Sequence, residues 1–332
     1  MKLPSLKIGN VRVPLPIVQG GMAVRISLAP LAAAVANEGG IGVIGASGMH
    51  PPELVKHIRE ARMLTDGIIG VNIMVAVKEF ADLVKAAIQE KVDVIISGAG
   101  FSRDVFKWCR EANVPFLPIV SSARVARLAE RFGAAGMVVE GEEAGGHLGT
   151  DKPLLAILPE IIQSVKIPVI AAGGILKGSD IVKVLTMGAS GVQMGTRFAL
   201  SHECSAAPAW KEMCLRARKP EDVKIIESPV GMPFRAVFSP FVKALMEGNV
   251  PKPGRDILVR CRKCLKDCKK NYCIIDALER AQQGNTQKGL FTIGERVTEI
   301  REILSVKEII GSLLKEVKEA ALGVKTVCSE ES

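Results

Sequence analysis

Short runs of Val, Ile and Ala recur along the first two-thirds of the chain, each followed by a longer stretch with apolar residues three or four apart. The short runs fall at residues 15–19, 41–45, 68–73, 92–97, 116–120, 136–139, 168–172 and 191–194. They are apolar throughout instead of alternating with polar residues, as strands are in a parallel sheet covered on both faces. The intervening stretches, among them 29–37, 52–63, 79–90, 123–132, 154–165 and 179–187, have the period of helices with one buried stripe. An open doubly wound sheet would alternate in the same way. Eight repeats favour closure into a TIM (β/α)8 barrel, whose catalytic face lies at the carboxyl ends of the strands.

The pattern breaks after about residue 200. Residues 205–218 read as a helix. Pro229, Pro233, Pro240, Pro251 and Pro253 then punctuate the chain at a density that argues against regular barrel elements. Further helices are expected at 274–283 and 306–321, with a frayed end at 329–332. The expected organisation is an α/β barrel over residues 1–218 and a smaller C-terminal lobe over 219–332, helical and cysteine-rich.

Glycines mark the strand ends. Strand seven runs into Ala171-Ala172-Gly173-Gly174-Ile175, and strand eight into Gln193-Met194-Gly195-Thr196-Arg197. The loops after the last two strands of such barrels commonly hold a phosphate. Glycine lets successive backbone N–H groups approach an oxyanion closely. Gly173 and Gly174 would also suit tight turns alone. Arg197 reads either as a phosphate ligand or as a strand-end charge paired with a carboxylate such as Glu203.

Strand six runs into Glu140-Gly141-Glu142-Glu143-Ala144-Gly145-Gly146-His147-Leu148-Gly149. A Gly-rich loop on the catalytic face that presents one imidazole suits proton transfer near neutral pH. Of the three glutamates, one is expected to orient the loop or the histidine and the others to be solvated. His50, His57 and His202 read as structural or surface residues.

Composition narrows the chemistry. Among 332 residues, 44 Lys and Arg face 35 Asp and Glu, a formal charge of +9, and only 4% are aromatic. Single-stranded nucleic acid needs aromatic platforms, so that class is set aside. The positive charge is spread over helix faces and suits a solvated surface, an anionic substrate or cofactor, or an acidic partner. No apolar run reaches membrane-span length and no signal-peptide pattern opens the chain. A cytoplasmic location is therefore expected, with neither nucleic acid nor membrane as partner; a homodimer is compatible with the sequence.

Cytoplasmic thiols stay reduced, yet four of the eight cysteines crowd together. Cys261, Cys264, Cys268 and Cys273 form C-x2-C-x3-C-x4-C. The spacing suits a Zn²⁺ site or an Fe–S cluster, and equally a set of reduced structural or redox thiols. Flanking Arg260, Arg262, Lys263, Lys266, Lys269 and Lys270 would lower the thiol pKa values in either case.

Six segments, taken in order over roughly residues 10–240, resemble the nitronate monooxygenase (2-nitropropane dioxygenase) family and the related FMN-dependent enoyl-acyl-carrier-protein reductases. They are Gln19-Gly20-Gly21-Met22-Ala23, Gly39-Gly40-Ile41-Gly42, Gly70-Val71-Asn72, Glu143-Ala144-Gly145-Gly146-His147, and the two glycine segments at the ends of strands seven and eight. The resemblance implies FMN across the top of the barrel. Gly20, Gly21 and Met22 would back its ring, and Asn72 and Gln193 would hydrogen-bond it. Gly173, Gly174, Gly195 and Thr196 would hold its phosphate, with Gln19, Glu143, Ala144, Gly145 and Gly146 completing the cofactor site. His147 would be the catalytic acid or base. The chain departs from the family at Ile293-Gly294-Glu295, where a Gly-Gln pair is usual. It departs again in the cysteine-rich tail, which looks like tails on a clostridial-type subgroup.

The leading expectation is oxidation of a nitronate or nitroalkane with FMN and O₂, His147 acting as base, in an apolar pocket that Met22, Met74 and Met232 would line. The first alternative is an NAD(P)H-dependent enoyl-thioester reductase, served by an acyl carrier protein. In a reading from another class, the barrel is a scaffold for a metal-binding or partner-docking cysteine lobe. An IMP-dehydrogenase-like barrel is disfavoured because the loop after strand six has no nucleophilic cysteine.

Overall fold

The structure, a computed structural model, describes residues 3–254 and 260–330. The chain opens with an antiparallel hairpin of β1 (Leu6–Ile8) and β2 (Val11–Val13). Eight parallel strands then close a barrel. They are β3 (Ile17–Gln19), β4 (Ile41–Gly45), β5 (Ile68–Asn72), β6 (Val94–Ser97), β7 (Phe116–Val120), β8 (Met137–Glu140), β10 (Val169–Ala172) and β11 (Gly191–Met194). A two-residue β9 (Gly146–His147) lies outside the ring, which closes where β11 pairs with β3.

Strand alternation sends Val18, Val43, Ile96, Leu117, Val138 and Ile170 to the barrel interior, where Leu6, Ile8 and Val13 of the hairpin join them. The hairpin therefore plugs the amino end of the barrel. Burying each such side chain stabilises the fold by roughly 1.5–3 kcal/mol. The opposite strand faces pack under the helices. One of these contacts explains a glycine: a Cβ on Gly42 would lie 1.8 Å from the carbonyl oxygen of Ala32, so the helix Ala29–Asn37 sits on β4 only where no side chain intervenes.

All eight expected strands are present, with small shifts at their ends. The strand expected at 136–139 runs one residue further, through Glu140, which changes what that residue does. The helix expected at 205–218 is shortened to Pro208–Leu215, because Pro208 is suited to the first helical turn and the preceding backbone bonds elsewhere. The proline-rich stretch forms no barrel element but does form regular ones. Strand β12 (Val223–Glu227) pairs with β13 (Pro233–Val237), and β13 pairs in turn with β9. Pro233 is the first residue of its strand, and Pro240 is at the start of the helix Pro240–Met246 behind a Ser239 cap.

The last helix, Val306–Glu330, packs on Gly178–Thr186 and Ala29–Asn37, completing the outer ring between the seventh and first barrel units. Gly178 permits the contact: a Cβ there would lie 2.5 Å from that of Glu316, and its N–H donates to the Glu316 carboxylate at 2.6 Å. The helix includes the first two of residues 329–332, and the last two lie outside the described residues. Among the described residues no helix is long and apolar enough to cross a membrane.

Candidate active site

At the carboxyl end of the barrel, the inward-facing residue at each strand end borders one cavity of about 560 Å³. Gly20, Gly45, Gly98 and Ala172 leave the space open, Ile119 adds an apolar contact, and Asn72, Glu140 and Gln193 are the polar members of the floor. Several of these residues are fixed by close packing. A Cβ on Gly21 would meet that of Asn72 at 2.2 Å, and one on Gly45 would meet the Met22 carbonyl at 2.4 Å.

Gly20 and Gly195 differ. The nearest protein atom to an added Cβ would be 3.5 Å away at Gly20 and 3.7 Å at Gly195, ordinary contact distances. The protein's own packing does not demand glycine there, so the open space points to a ligand.

The polar floor is underbonded. The Oε1 of Gln193 is buried without a hydrogen-bond partner. Glu140 retains some accessible surface only because it borders the cavity. Burial, with no neighbouring charge or hydrogen bond to offset it, pushes its carboxyl up to about 8.

His147 stands on the wall. Its loop is held as a strand, since β9 pairs with β13 through Phe234 and Arg235. The imidazole Nε2 lies 2.7 Å from the Ser228 hydroxyl, and the Phe234 ring meets the imidazole edge-on at 4.8 Å between centroids. Burial pushes the imidazole down to about 4, so it is uncharged at neutral pH. The glutamates divide as follows. Glu143 accepts the Leu154 N–H and anchors the loop to the next helix, while Glu140 faces the cavity instead of solvent. The Arg235 guanidinium, itself buried, donates to the carbonyls of Ala144 (3.1 Å) and Glu142 (2.7 Å) and clamps the loop from below.

The glycine loops after β10 and β11 lie side by side at the cavity rim, because the two strands are paired neighbours. Gly173 and Gly174 stand at φ +101° and +67°, where a side chain would be strained. Arg296 donates to the Gly174 carbonyl and pairs with Asp180 at 2.9 Å and Glu299 at 2.6 Å. Thr196 accepts the Gly294 N–H at 3.0 Å through its hydroxyl. The segment that departs from the family pattern thus supplies a wall of the site: Ile293 and Gly294 border the cavity, and Glu295 lies 3.5 Å from Arg235.

Of the residues expected at the site, Gly20, Gly21, Met22, Asn72, Glu143, Ala144, Gly145, Gly146, His147, Gly173, Gly174, Gln193, Gly195 and Thr196 all border this cavity, as do Met74 and Met232. Gln19 does not. It is fully buried in the barrel wall, where its amide accepts the Val43 N–H at 2.9 Å and donates to the Gly20 carbonyl. Arg197 donates to the Glu302 carbonyl instead of meeting Glu203, whose carboxylate accepts the Val306 N–H. His57 bonds Glu60 in its own helix, and His50 bonds Glu79 at the surface.

The four clustered cysteines lie apart from the cavity floor. Burial first, and then charge on Cys273, Cys268 and Cys261, pushes the Cys264 thiol up to about 11. Among the described residues no three His, Cys, Asp or Glu side chains are grouped so as to hold a metal ion. Cys109, Cys204 and Cys214 are buried single thiols, and the Cys328 side chain lies outside the described residues.

A closed (β/α)8 barrel with a glycine-lined cavity, a buried histidine and paired glycine loops at its carboxyl end has a candidate active site where barrel enzymes carry theirs. The chain belongs to the nitronate monooxygenase family, whose model it matches over residues 5–93 and 80–316. It is 27% identical to a probable nitronate monooxygenase of Bacillus subtilis, covering 91% of this chain and 95% of the relative. It is 34% identical to an octahydroindene carboxyl-CoA dehydrogenase of Mycobacterium tuberculosis over 70% of this chain, and spans 66% of that relative's length. The structure of FabK from Thermotoga maritima superposes with a TM-score of 0.85 at 35% identity, covering 95% of this chain and 96% of FabK.

Proposed function

We propose that the chain is a cytoplasmic, FMN-dependent oxidoreductase that oxidises nitronates and small nitroalkanes, with His147 as the base. The residues fit the cofactor. Space at Gly20 and Gly195 that the protein does not need, and the unpartnered Gln193 Oε1, suit a flat ring with hydrogen-bonding edges. The backbone N–H groups around Gly173, Gly174, Gly195 and Thr196 suit its phosphate. FMN, when bound, would supply the two-electron oxidation, with O₂ as the final acceptor.

The observation that carries the reading is the uncharged imidazole on the cavity wall. In the tautomer that donates Nε2–H to Ser228, Nδ1 keeps its lone pair for the α-proton of a neutral nitroalkane. A nitronate has already lost that proton and bypasses the step. Met22, Met74, Met232 and Phe234 give an apolar wall suited to a short alkyl group.

Oxygen uptake tests this. The enzyme should consume O₂ with either 2-nitropropane or its nitronate, without NAD(P)H. His147→Gln should slow the neutral substrate by about 10²–10⁴-fold and leave the nitronate within a few-fold. No uptake with either substrate would refute the proposal.

The carboxyl-CoA dehydrogenase relative and the full-length likeness to FabK favour a second reading, an NAD(P)H-dependent reductase of enoyl thioesters. The net positive charge would then suit an acidic acyl carrier protein. NAD(P)H oxidation that requires a crotonyl thioester would select this reading.

A further inference from the structure

The residues that suit FMN do not account for the whole rim of the large cavity. They lie on β3, β5, β10, β11 and the loop after β8. Two neighbouring units of the ring, β6 and β7, stand between β5 and β8, and both also line the cavity. Ala99, Gly100 and Phe101 come from the loop after β6. Ile119, Ser121, Ser122 and Val125 come from β7 and the start of the helix that follows it.

This sector is uncharged. The ionisable side chains bordering the cavity are Glu140, Glu143, His147 and Arg296, and all four come from other elements. The sector's polar side chains are two serines, and the Ser122 hydroxyl serves as a helix cap, accepting the Val125 N–H at 3.4 Å.

The sector starts beside His147 and ends at the surface. Two residues after the histidine, a Cβ on Gly149 would lie 2.8 Å from the Ser121 hydroxyl, so the histidine loop rests on the end of β7. One strand further on, Phe101 borders the cavity and is still 37% exposed. Its ring leans on Phe106 and Phe132, with centroids 5.3 and 5.7 Å away. Leu128, one turn beyond Val125 on the same helix face, is 39% exposed and carries the apolar surface outwards.

An uncharged trough that leads from an imidazole to solvent suits a hydrocarbon chain, because burying methylenes is favourable and needs no polar partner. We propose that the sector between β6 and β7 holds the alkyl chain of the substrate, the nitronate of an unbranched, medium-length alkane, with Phe101 at the mouth where the chain leaves. The inference rests on the nitronate reading for the head group and adds the chain. No bond forms or breaks in the sector.

The test uses the full chain with FMN bound. Turnover is measured on ethyl, butyl, hexyl and octyl nitronates. Calorimetry measures in parallel the binding of unreactive carboxylates with the same chains. Both kcat/KM and carboxylate affinity should rise by about three- to fourfold for each methylene that the sector buries. Val125→Phe, which fills the trough, should lower the octyl-to-ethyl ratio by about tenfold or more in both measurements. Phe101→Ala, at an exposed position, should reduce the gain for octyl and leave that for butyl. A chain-length gain in carboxylate affinity without turnover of any nitronate would overturn the head-group reading and leave the chain site standing. Affinity and kcat/KM that stay flat with chain length, or that rise equally in both folded variants, would overturn the inference. Loss of FMN from folded Val125→Phe would overturn it too, by placing the flavin ring in the sector.

Discussion

Every residue on the floor of the large cavity sits at the end of a barrel strand, whereas the four cysteines sit on a stretch that borrows its hydrogen bonds from the barrel rim. Neighbouring strands and the hairpin plug fix the floor whether or not a ligand is present. The cysteine loop holds Lys263 and Lys270 at positive φ and is pinned at separate points, where Leu265 and Tyr272 bury in the core and Lys266 donates to the Val75 carbonyl. The contrast teaches what regular pairing provides: strand ends form a preformed surface that a ligand can bind without ordering it, whereas the loop takes its shape from a few anchors to its neighbours.

The sharpest way to break this comparison is to fill space that only a ligand would use. Gly195→Val should lower FMN affinity by about 100-fold or more, or around 3 kcal/mol, while the melting temperature stays within a few degrees. Gly42→Ala, where the added carbon would sit 1.8 Å from a carbonyl oxygen, should instead destabilise the fold by about 3 kcal/mol or more. If Gly195→Val binds FMN normally, the space at that glycine is not a cofactor site.

The smallest effect concerns the floor's own charge. The folded carboxyl of Glu140 holds its proton up to about pH 8, while in the unfolded chain it ionises near 4.5. Its contribution is therefore fully present below about pH 4.5 and is lost as pH rises towards 8. Glu140→Gln cannot ionise in either state. The ligand-free variant should match the wild type at pH 4.5 and melt a few degrees higher at pH 8. A variant that is less stable at pH 8 would show that Glu140 is ionised and paired.

Much of this was legible in the chain. Uninterrupted Val and Ile runs announce barrel strands because both faces are buried, and glycines at their ends announce a surface that another group must approach. His147 stood out because a Gly-rich loop offered one imidazole. Glu140 was harder to read, since a carboxylate in a Gly-rich acidic run reads as loop, and only its place two residues after the interior Val138 at the end of β8 turns it inward. Gln19 lies in a family motif, but its hydrogen bonds are inside the wall. Ser228, Arg235 and Arg296 could not be found by pattern at all. They come from the stretch after the barrel, reach the site only through tertiary packing, and lie in no periodic or glycine-rich signature.

The central claim is that the cavity holds FMN and passes it electrons from nitronates, and an anaerobic visible spectrum tests this most directly. Freshly purified protein should show flavin bands that bleach on adding propyl-2-nitronate and persist on adding NAD(P)H alone. Protein without flavin bands, or flavin that bleaches with NAD(P)H and not with the nitronate, would contradict it.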